Sequence, residues 1–349
     1  MRVAVTGGTG FIGGHAVAAL VAAGHEVQLL ARERTRVAAM EQRLGLGPIG
    51  KVIEGDVRSP LAVEQLLDGC EAVVHAGSVY SLDVRDDRAI RETNVAGTEL
   101  VVETGLRLGL DPIVHVSSIV ALLPTDRPLG PDSPIQEPPG AYARSKAASE
   151  RMVRERQAAG APLVSVMPGL VGGSGDPYLG ETNRLIVAYL RGQLRVLPRG
   201  GALSLVDARD VAAVIASALE PGRGPRRYTA APHFLPVDQL ARTLNRLTGR
   251  RLRAVFVPNW LARAGTQPAR LQRFVPFRLP LSVESVELSV GWRHPVDCSR
   301  AETELGIDWR PVEETLTESI RSVVDSGALS AKAAGALGRS PRAGTERAV

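Results

Sequence analysis

Residues 2–14, RVAVTGGTGFIGG, decide the fold. A short run typical of a β-strand leads into a turn with glycine at positions 7, 10 and 13, and the residues after the turn favour a helix. Glycine suits this turn because a side chain would obstruct both the turn and the approach of a pyrophosphate to the backbone amides at the helix N-terminus. Strand, turn and helix in this order predict a dinucleotide site at Gly7, Gly10 and Gly13.

The rest of the first 170 residues alternates short apolar runs with amphipathic stretches, a pattern typical of a parallel sheet with helical crossovers. The predicted strands are residues 2–6, 26–31, 51–54, 72–75, 113–117 and 163–167. The predicted helices are residues 11–23, 59–67, 88–108 and 141–159. We therefore expect an α/β fold with a Rossmann-type doubly wound parallel sheet, which binds its ligand beyond the carboxyl ends of its strands.

The pattern changes after Pro168, where prolines recur and strand-like runs become few. We expect a dinucleotide-binding domain over residues 1–170 and a smaller, mostly helical substrate-binding region over residues 171–328, with some segments returning to the sheet. Residues 329–349 are rich in alanine, glycine, serine and arginine and lack apolar periodicity. This composition predicts a disordered tail.

The composition excludes several classes of protein. A chain of 349 residues with 44% apolar residues can bury a large core. The N-terminus does not resemble a secretory signal, and no apolar run reaches the roughly 18 residues of a membrane span, so we expect a cytoplasmic protein without an integral membrane segment. The 2 cysteines lie far apart, and no group of histidines and carboxylates has metal-ligand spacing. We expect reduced thiols and no metal.

The net charge of +5 comes from two basic stretches. Residues 331–349 carry +3 and residues 249–278 contain seven arginines and no acid, so the remainder is net acidic. This distribution gives no reason to expect nucleic acid as a partner. Residues 258–281 mix apolar and aromatic residues with arginine, and Pro268, Pro276 and Pro280 argue against one continuous helix. The segment fits a lid over a small-molecule substrate that is apolar with an acidic group; an anionic membrane surface and a solvated helix are the alternatives.

A catalytic site is predicted by the segment YARSK, which places Tyr142 and Lys146 one helical turn apart on the same face. A tyrosine has a reference pKa of about 10 and needs a neighbouring cation to act as an acid or base at neutral pH. Lys146 can supply that charge and can hold the nicotinamide ribose. Ser117 and Ser118 end the strand upstream, where a hydroxyl can bind a substrate oxygen as charge develops.

The end of the second strand indicates which nicotinamide cofactor binds. NAD sites usually carry an acid there, whereas a 2′-phosphate calls for arginine. This sequence has Ala31 followed by Arg32, Arg34 and Arg36, which favours NADP. NAD remains the alternative because Glu33 could reach a ribose hydroxyl, and the arginines could simply open a surface helix.

Polar residues after the other strands are further candidates. Asp56 could bind the adenine amine or begin the next helix. His75 follows a buried strand and is interpreted as a structural or cofactor-contacting residue. Asn94 could bridge its helix to the cofactor or relay protons through water, whereas His115 reads as a hydrogen-bonded core histidine.

Together these segments resemble the extended short-chain dehydrogenase/reductases over most of residues 1–326. The resemblance is carried by TGGTGFIG, GDV, HAG, ETNVAGT, VSS, YARSK, the PG of MPGLVGGSGD, and VDARDVA. The branch most resembled contains dihydroflavonol reductases, 3β-hydroxysteroid dehydrogenases and hopanoid-associated epimerase-like proteins. It implies oxidation or reduction at a secondary alcohol carbon by Ser118, Tyr142 and Lys146, in a homodimer. The residues expected to contact the cofactor are Gly7, Thr9, Gly10, Phe11, Ile12, Arg32, Asp56, Val57, His75, Ala76, Gly77, Asn94, Ser117, Tyr142, Lys146, Pro168, Gly169 and Val171.

Two other functions remain open. Sugar and sugar-nucleotide epimerases and dehydratases of the same superfamily usually carry an asparagine soon after the PG segment and an arginine seven residues before the DVA aspartate. Here residues 169–171 are Gly-Leu-Val, Leu203 stands at the arginine position, and Ser118 is followed by apolar residues rather than an acid pair. A non-catalytic, NADP-sensing regulator is the alternative from another class, and the intact Ser118, Tyr142 and Lys146 argue against it.

Overall fold

The structure is a computed structural model that describes residues 1–79, 87–265, 289–290 and 292–338. Its strands are β1 (Arg2–Thr6), β2 (Glu26–Ala31), β3 (Lys51–Glu54), β4 (Ala72–His75), β5 (Ile113–Val116), β6 (Leu163–Pro168), β7 (Leu170–Gly172), β8 (Val196–Pro198), β9 (Ala202–Asp207), β10 (Arg226–Ala230), β11 (His233–Pro236) and β12 (Val255–Val257). Its α-helices are α1 (Phe11–Ala22), α2 (Arg34–Leu44), α3 (Pro60–Leu67), α4 (Asp87–Arg91), α5 (Gly97–Arg107), α6 (Ala141–Ala158), α7 (Glu181–Leu190), α8 (Ala208–Ser217), α9 (Val237–Thr248), α10 (Asn259–Gly265), α11 (Ser299–Leu305), α12 (Val312–Asp325) and α13 (Ala331–Ala334).

The main sheet has seven strands in the order β10-β6-β5-β4-β1-β2-β3, and all of its pairings are parallel. Strands β4, β5 and β6 are buried along their whole length. Strands covered on both faces are built from continuous apolar runs, which is why the sequence marks them clearly. The predicted Rossmann-type sheet is confirmed, and the strand order reverses between β1 and β4, where such sheets bind ligands.

Helices cover both faces of this sheet. One apolar cluster packs α1, α2 and α8 against one face, with Leu20, Met40 and Ile215 fully buried. A second packs α3, α5 and α6 against the other face, with Leu66, Val101 and Val153 at its centre. Strand β10 and helix α8 therefore complete the main sheet and its helical layer although they follow residue 170.

Local structure departs from the predicted boundaries at three places. Strand β5 ends at Val116, so both serines lie beyond it. The helix expected over residues 88–108 is interrupted by a π-helical turn at Glu92–Ala96. Helix α2, which was not among the predicted helices, begins at Arg34 with Glu33 as its N-cap. Its C-terminus is closed by Gly45 at φ 65°, a left-handed conformation that glycine adopts without strain.

The C-terminal region has its own core, and its strands outnumber those that the sequence suggested. Strands β11, β9 and β7 form one small sheet, and β12 and β8 form another. An apolar cluster around Ile186, Leu240 and Leu316 holds them against α7, α9 and α12. Strands of three residues are too short to show an alternating pattern, so the sequence gives little sign of them.

The prediction of a disordered tail is wrong for residues 329–338. Leu329 is 1% exposed and Ala334 is fully buried, and Leu337 packs against the C-terminal core. Ser330 caps α13 by accepting a hydrogen bond from the Ala333 amide. Three apolar residues in a short stretch are enough to anchor this turn, although they form no period. Residues 339–349 lie outside the described residues.

Other expectations concern features away from the sheet. Cys70 and Cys298 are both free, as predicted, and burial raises the pKa of each thiol to about 11. None of the described helices is both long and apolar enough to cross a bilayer. Within the described residues no cluster of histidine, cysteine and carboxylate side chains suits a metal ion. Of the segment 258–281, residues 266–281 lie outside the described residues. They include Leu271, Phe274, Val275, Phe277, Arg270, Arg273 and Arg278.

Candidate active site

The glycine turn after β1 packs directly against the end of β4. Gly7 has φ +72°, and a Cβ there would lie 2.5 Å from the carbonyl carbon of Ala76 and the amide of Gly77. A Cβ at Gly13 would lie 2.2 Å from the Gly7 carbonyl oxygen. These contacts leave no room for side chains, so the turn can hold only glycine at both positions.

Helix α1 begins at this turn and leaves its N-terminal amides without a side-chain cap. Its N-cap is Gly10, no side chain accepts from the first turn, and that turn contains no acid. Thr9, Phe11 and Ile12 surround the same helix end. Uncapped amides and the positive end of the helix dipole favour an anion. The residues present therefore fit the pyrophosphate of a dinucleotide.

Of the three arginines after β2, one is available for a ligand. Arg34 donates to the Val52 carbonyl (3.1 Å), and Arg36 pairs with Glu33 (3.2 Å). Arg32 is exposed and forms no hydrogen bond or salt bridge with any described residue. It lies close enough to Asp56 for its charge to contribute to that carboxyl's lowered pKa. Arg32 thus differs from Arg34 and Arg36, which lie at the start of helix α2 and are bound to protein groups.

Asp56 is oriented by its neighbour Arg58. Its carboxylate accepts hydrogen bonds from the Arg58 backbone amide (2.9 Å) and from Nε (2.8 Å). The Arg58 side chain is the main cause of the lowered pKa of Asp56. Helix α3 is capped by Ser59 instead, so Asp56 does not begin the helix. Val57 lies next to it, beneath Gly97 of α5.

His75 links the first strand to the helix after β4. It is 1% exposed, its Nδ1 lies 2.7 Å from the Thr6 Oγ1 and its Nε2 lies 3.0 Å from the Thr98 Oγ1. The Gly77 amide donates to the same Thr6 hydroxyl (3.3 Å). Burial, reinforced by the charge of Lys146, lowers the pKa of His75 to about 3. The ring is therefore neutral, and both of its nitrogens are hydrogen-bonded. These properties fit a structural role beside the glycine turn.

His115 is buried next to His75 but differs from the prediction. The two rings stack with centroids 5.7 Å apart. Burial holds the pKa of His115 well below its usual range. Neither of its ring nitrogens has a hydrogen-bond partner among the described residues. The expectation of a hydrogen-bonded core histidine is wrong: the neighbours of His115 in the sheet are His75 and Ser165, and neither forms a hydrogen bond with its ring.

Asn94 sits in the π-helical turn and joins three elements. Its Oδ1 accepts from the Val79 amide (2.7 Å), and its Nδ2 donates to the Val79 carbonyl (2.9 Å) and to Ser145 Oγ (3.0 Å). Ser145 in turn donates to the Tyr142 carbonyl (2.7 Å). Such turns often occur where a helix must present a functional group. Asn94 thereby connects the segment after β4 to the helix that carries Tyr142 and Lys146.

The two serines after β5 have different surroundings. Ser117 is 2% exposed, and its hydroxyl has no partner among the described residues. Ser118 caps a short 3-10 helix by accepting a hydrogen bond from the Val120 amide (3.4 Å). Its hydroxyl donates a second, weak hydrogen bond to the Pro168 carbonyl (3.5 Å). Both hydrogen bonds are long, so the Ser118 hydroxyl can turn to a substrate oxygen at little cost.

Pro168, Gly169 and Val171 carry the chain from the main sheet into the C-terminal region. Pro168 ends β6 and lies beside Ser118. A Cβ at Gly169 would lie 2.5 Å from the Ser204 carbonyl oxygen, while Val171 pairs with Val206 in the small sheet. This close crossing fixes the C-terminal region next to the carboxyl edge of the main sheet.

Lys146 extends from α6 into the protein and reaches the end of β5. Its Nζ donates to the Val116 carbonyl (3.0 Å), and the residue is 5% exposed. Burial lowers its pKa to about 8. Tyr142 lies one turn earlier on the same helix and is partly exposed. The ammonium group therefore lies at the carboxyl edge of the sheet, immediately before the two serines.

The structure thus brings the predicted residues to one edge of the sheet. Thr6, Thr98, Ser145 and Ser149 are polar members of this edge that the sequence analysis did not single out. Ser149 donates to the Asn94 carbonyl (2.7 Å), as does Thr98 (2.6 Å). The four-residue spacing of Thr98 from Asn94 is a signal that could have indicated this pairing. The Thr6 contact could not be predicted, because it joins strands 69 residues apart.

Comparison with known proteins places the chain among related enzymes. A family model described as the NAD dependent epimerase/dehydratase family matches residues 3–231. The sterol demethylase protein B of Methylococcus capsulatus is 30% identical over 88% of this chain and 93% of its own length. A putative dihydroflavonol 4-reductase of Synechocystis is 27% identical over 90% of this chain and 92% of its own length.

A solved structure supports the same fold. A nucleoside-diphosphate-sugar epimerase from Pseudomonas aeruginosa superposes with a TM-score of 0.75, at 24% identity, over 94% of this chain and 99% of that one. At this level of identity the likeness extends to the architecture alone.

Proposed function

This chain belongs to the NAD dependent epimerase/dehydratase family, within the extended short-chain dehydrogenase/reductases, and we propose that it is an NADP-dependent ketoreductase or alcohol dehydrogenase acting on a secondary alcohol carbon. The observation that carries this proposal is the buried Lys146 ammonium at the sheet edge, one turn from Tyr142 and next to Ser118. A charge buried at such a cost is expected where it tunes a reacting group.

Each residue has a separate role in the proposed reaction. The bound nicotinamide supplies the hydride in reduction and accepts it in oxidation. In reduction, Ser118 donates a hydrogen bond to the carbonyl oxygen and Tyr142 transfers its phenolic proton to that oxygen as the alcohol forms. The positive charge of Lys146 stabilises the resulting phenolate, which lowers the pKa of Tyr142. A proton from solvent then restores the phenol.

The preference for NADP rests on Arg32. Its guanidinium is exposed and unpaired among the described residues at the end of β2, where a 2′-phosphate would lie. The pyrophosphate would lie on the uncapped end of α1, and Asp56 would face the adenine. His75 and Asn94 would support the nicotinamide end through the contacts described above, with Ser117, Ala76, Gly77, Pro168, Gly169 and Val171 lining the same cleft.

The substrate is proposed to be a small apolar molecule. An apolar cluster with Ile119, Leu122 and Leu123 begins directly after Ser118 and continues to Trp292. The relatives named as a sterol demethylase protein and a dihydroflavonol reductase are consistent with such a substrate. We also propose that the substrate carries an acidic group, because residues 249–278 contain seven arginines and no acid. We also propose a cytoplasmic homodimer, which light scattering and cell fractionation would test.

The fate of the cofactor during turnover distinguishes the three candidate functions: ketoreductase, epimerase and regulator. We expect NADPH to be consumed with a panel of apolar secondary ketones, and one alcohol and one NADP⁺ to appear for each NADPH lost. Sugar-nucleotide isomerisation without net loss of cofactor would indicate an epimerase. Tight NADPH binding without turnover of any ketone, alcohol or sugar nucleotide would indicate a regulator.

A further inference from the structure

An apolar face that none of the described residues covers lies on the C-terminal region. Strands β8 and β12 pair in parallel with Val255 opposite Val196, and these side chains are 60% and 51% exposed. Helix α10 follows β12 at once and presents Trp260 and Leu261, which are 69% and 43% exposed. These four residues, termed the 196–261 face, are half of the eight large apolar side chains exposed in the described part of the chain.

The opposite side of the same two strands is buried. Leu197 and Phe256 pair with each other and pack into the C-terminal core. Both sides of strand β8 therefore carry apolar side chains, and only one of these sides is covered by the described residues. An exposed tryptophan with three aliphatic neighbours is costly in water unless an apolar phase receives it.

Arginines that form no salt bridge with a described residue flank the 196–261 face. Arg195 and Arg199 flank β8, and exposed Arg251 and Arg253 alternate with partly buried neighbours up to Val255. Alternation in an extended segment directs these two arginines to the same side as Val255. None of the four forms a salt bridge with a described residue, whereas arginines on other helices, such as Arg107 and Arg156, pair with glutamates.

We propose that the 196–261 face binds the surface of an anionic phospholipid bilayer. Tryptophan favours the boundary between headgroups and acyl chains, the aliphatic side chains can enter the acyl layer, and arginine binds lipid phosphates. Docking would then bring the protein to a phase in which apolar substrates dissolve. This last consequence rests on the proposed function, whereas the docking itself does not.

The charges favour a bilayer over the other occupants. Residues 249–278 carry seven arginines and no acid, so neither that segment nor a second copy of the face complements it. A nucleic acid would pair with the arginines but offers no apolar layer for Val196, Val255 and Leu261. An anionic membrane provides both the charge and the apolar phase.

The first experiment measures binding of the full-length protein to vesicles by flotation. We expect it to float with vesicles that contain phosphatidylglycerol, to stay behind with pure phosphatidylcholine, and to be released by salt. Arg251→Glu with Arg253→Glu should weaken the partition coefficient by at least about tenfold. The matched control, Arg107→Glu with Arg223→Glu, makes the same change in net charge elsewhere and should bind as the wild type does.

The second experiment tests the apolar contact. Emission from Trp260 should shift to the blue on binding, since Trp292 is already buried and Trp309 packs against the core and donates to Glu302. Trp260→Ser should abolish both the shift and most of the binding. Leu61→Ser, at a leucine that is 66% exposed on α3, is the control. Circular dichroism should show that all variants are folded.

Several results would overturn the proposal. The Trp260 and arginine variants could bind vesicles as well as the wild type does, or both control variants could lose as much binding as the test variants do. The wild type could also fail to bind vesicles that contain phosphatidylglycerol. A dimer that Trp260→Ser dissociates would make the face a homodimer interface. Binding to polyglutamate but not to vesicles would indicate an acidic protein partner.

Discussion

Lys146 buries a positive charge against a single backbone acceptor, the Val116 carbonyl. Burying this charge should reduce the free energy of unfolding by an amount that can be measured. Its pKa of about 8 lies below the 10.5 of an exposed lysine. Below pH 8 the group is charged in both the folded and unfolded states, and folding buries that charge. Between pH 8 and 10.5 the unfolded chain binds the extra proton, so stability from this group rises with pH.

Replacing Lys146 with methionine should therefore stabilise the protein while it removes activity. We expect the free energy of unfolding to increase by about 1–3 kcal/mol at neutral pH, with the gain shrinking above pH 8. Chemical denaturation at several pH values measures this. A less stable Lys146→Met variant at pH 7 would mean that the ammonium is held by stronger contacts than the Val116 carbonyl.

The same pKa governs turnover. Since the reaction requires a charged Lys146, kcat/KM for ketone reduction should fall as the pH rises through about 8. Steady-state rates across pH 6 to 10 provide the test. A flat profile up to pH 10 would contradict the role of the ammonium group.

Arg32 determines the choice of cofactor in this account. Arg32→Ala should raise KM for NADPH by about 10- to 100-fold and leave KM for NADH nearly unchanged, because only the 2′-phosphate contact is lost. Arg34→Ala and Arg36→Ala are matched controls, since those arginines bind Val52 and Glu33. Equal effects of all three substitutions would assign the preference to general positive charge.

At the scale of elements, the stacked histidines of β4 and β5 should respond differently to substitution. His75→Phe leaves two buried threonine hydroxyls without their ring partner, so we expect a loss of about 1–3 kcal/mol. His115→Phe breaks no hydrogen bond with a described residue and should be nearly neutral at pH 8. Thermal unfolding of both variants measures the difference.

Acid should destabilise the wild type more than the His115→Phe variant. A histidine with a lowered folded pKa loses its stabilising contribution as the pH falls, and for His75 this window runs from 6.5 to about 3. Because the pKa of His115 is also lowered, His115→Phe should resist acid better than the wild type. If its acid midpoint is unchanged, the ring is not held neutral in the fold.

The elements also show what the sequence could predict. The six N-terminal strands were predicted because each is a short, mostly apolar run, and the placement of Tyr142 and Lys146 one turn apart because four residues make about one helical turn. The Thr6–His75–Thr98 contacts could not be found, since they depend on which strands pair. The π-helical turn at Asn94 also escaped prediction, because it leaves the apolar pattern of the helix almost intact.

At the scale of the whole molecule, the C-terminal region is held together by contacts that composition conceals. Residues 329–338 looked disordered because alanine and glycine dominate them, yet Leu329, Ala334 and Leu337 complete the core of that region. The prediction of disorder failed because this low-complexity stretch was judged by its composition and not by its few apolar anchors.

Truncation should show the importance of this anchor. Removing residues 329–349 exposes the C-terminal core, and we expect it to cost about 3 kcal/mol more stability than removing residues 339–349 alone. Denaturant midpoints of the two truncated proteins give the difference. If the midpoints coincide, residues 329–338 do not pack as described.

The most direct test of the central claim compares Tyr142→Phe with the wild type. Using a ketone that the wild type reduces, we expect kcat to fall by at least about 100-fold while the dissociation constant for NADPH, measured by its fluorescence, changes less than about twofold. Turnover by Tyr142→Phe at a rate near that of the wild type would contradict the proposed proton transfer at this edge of the sheet.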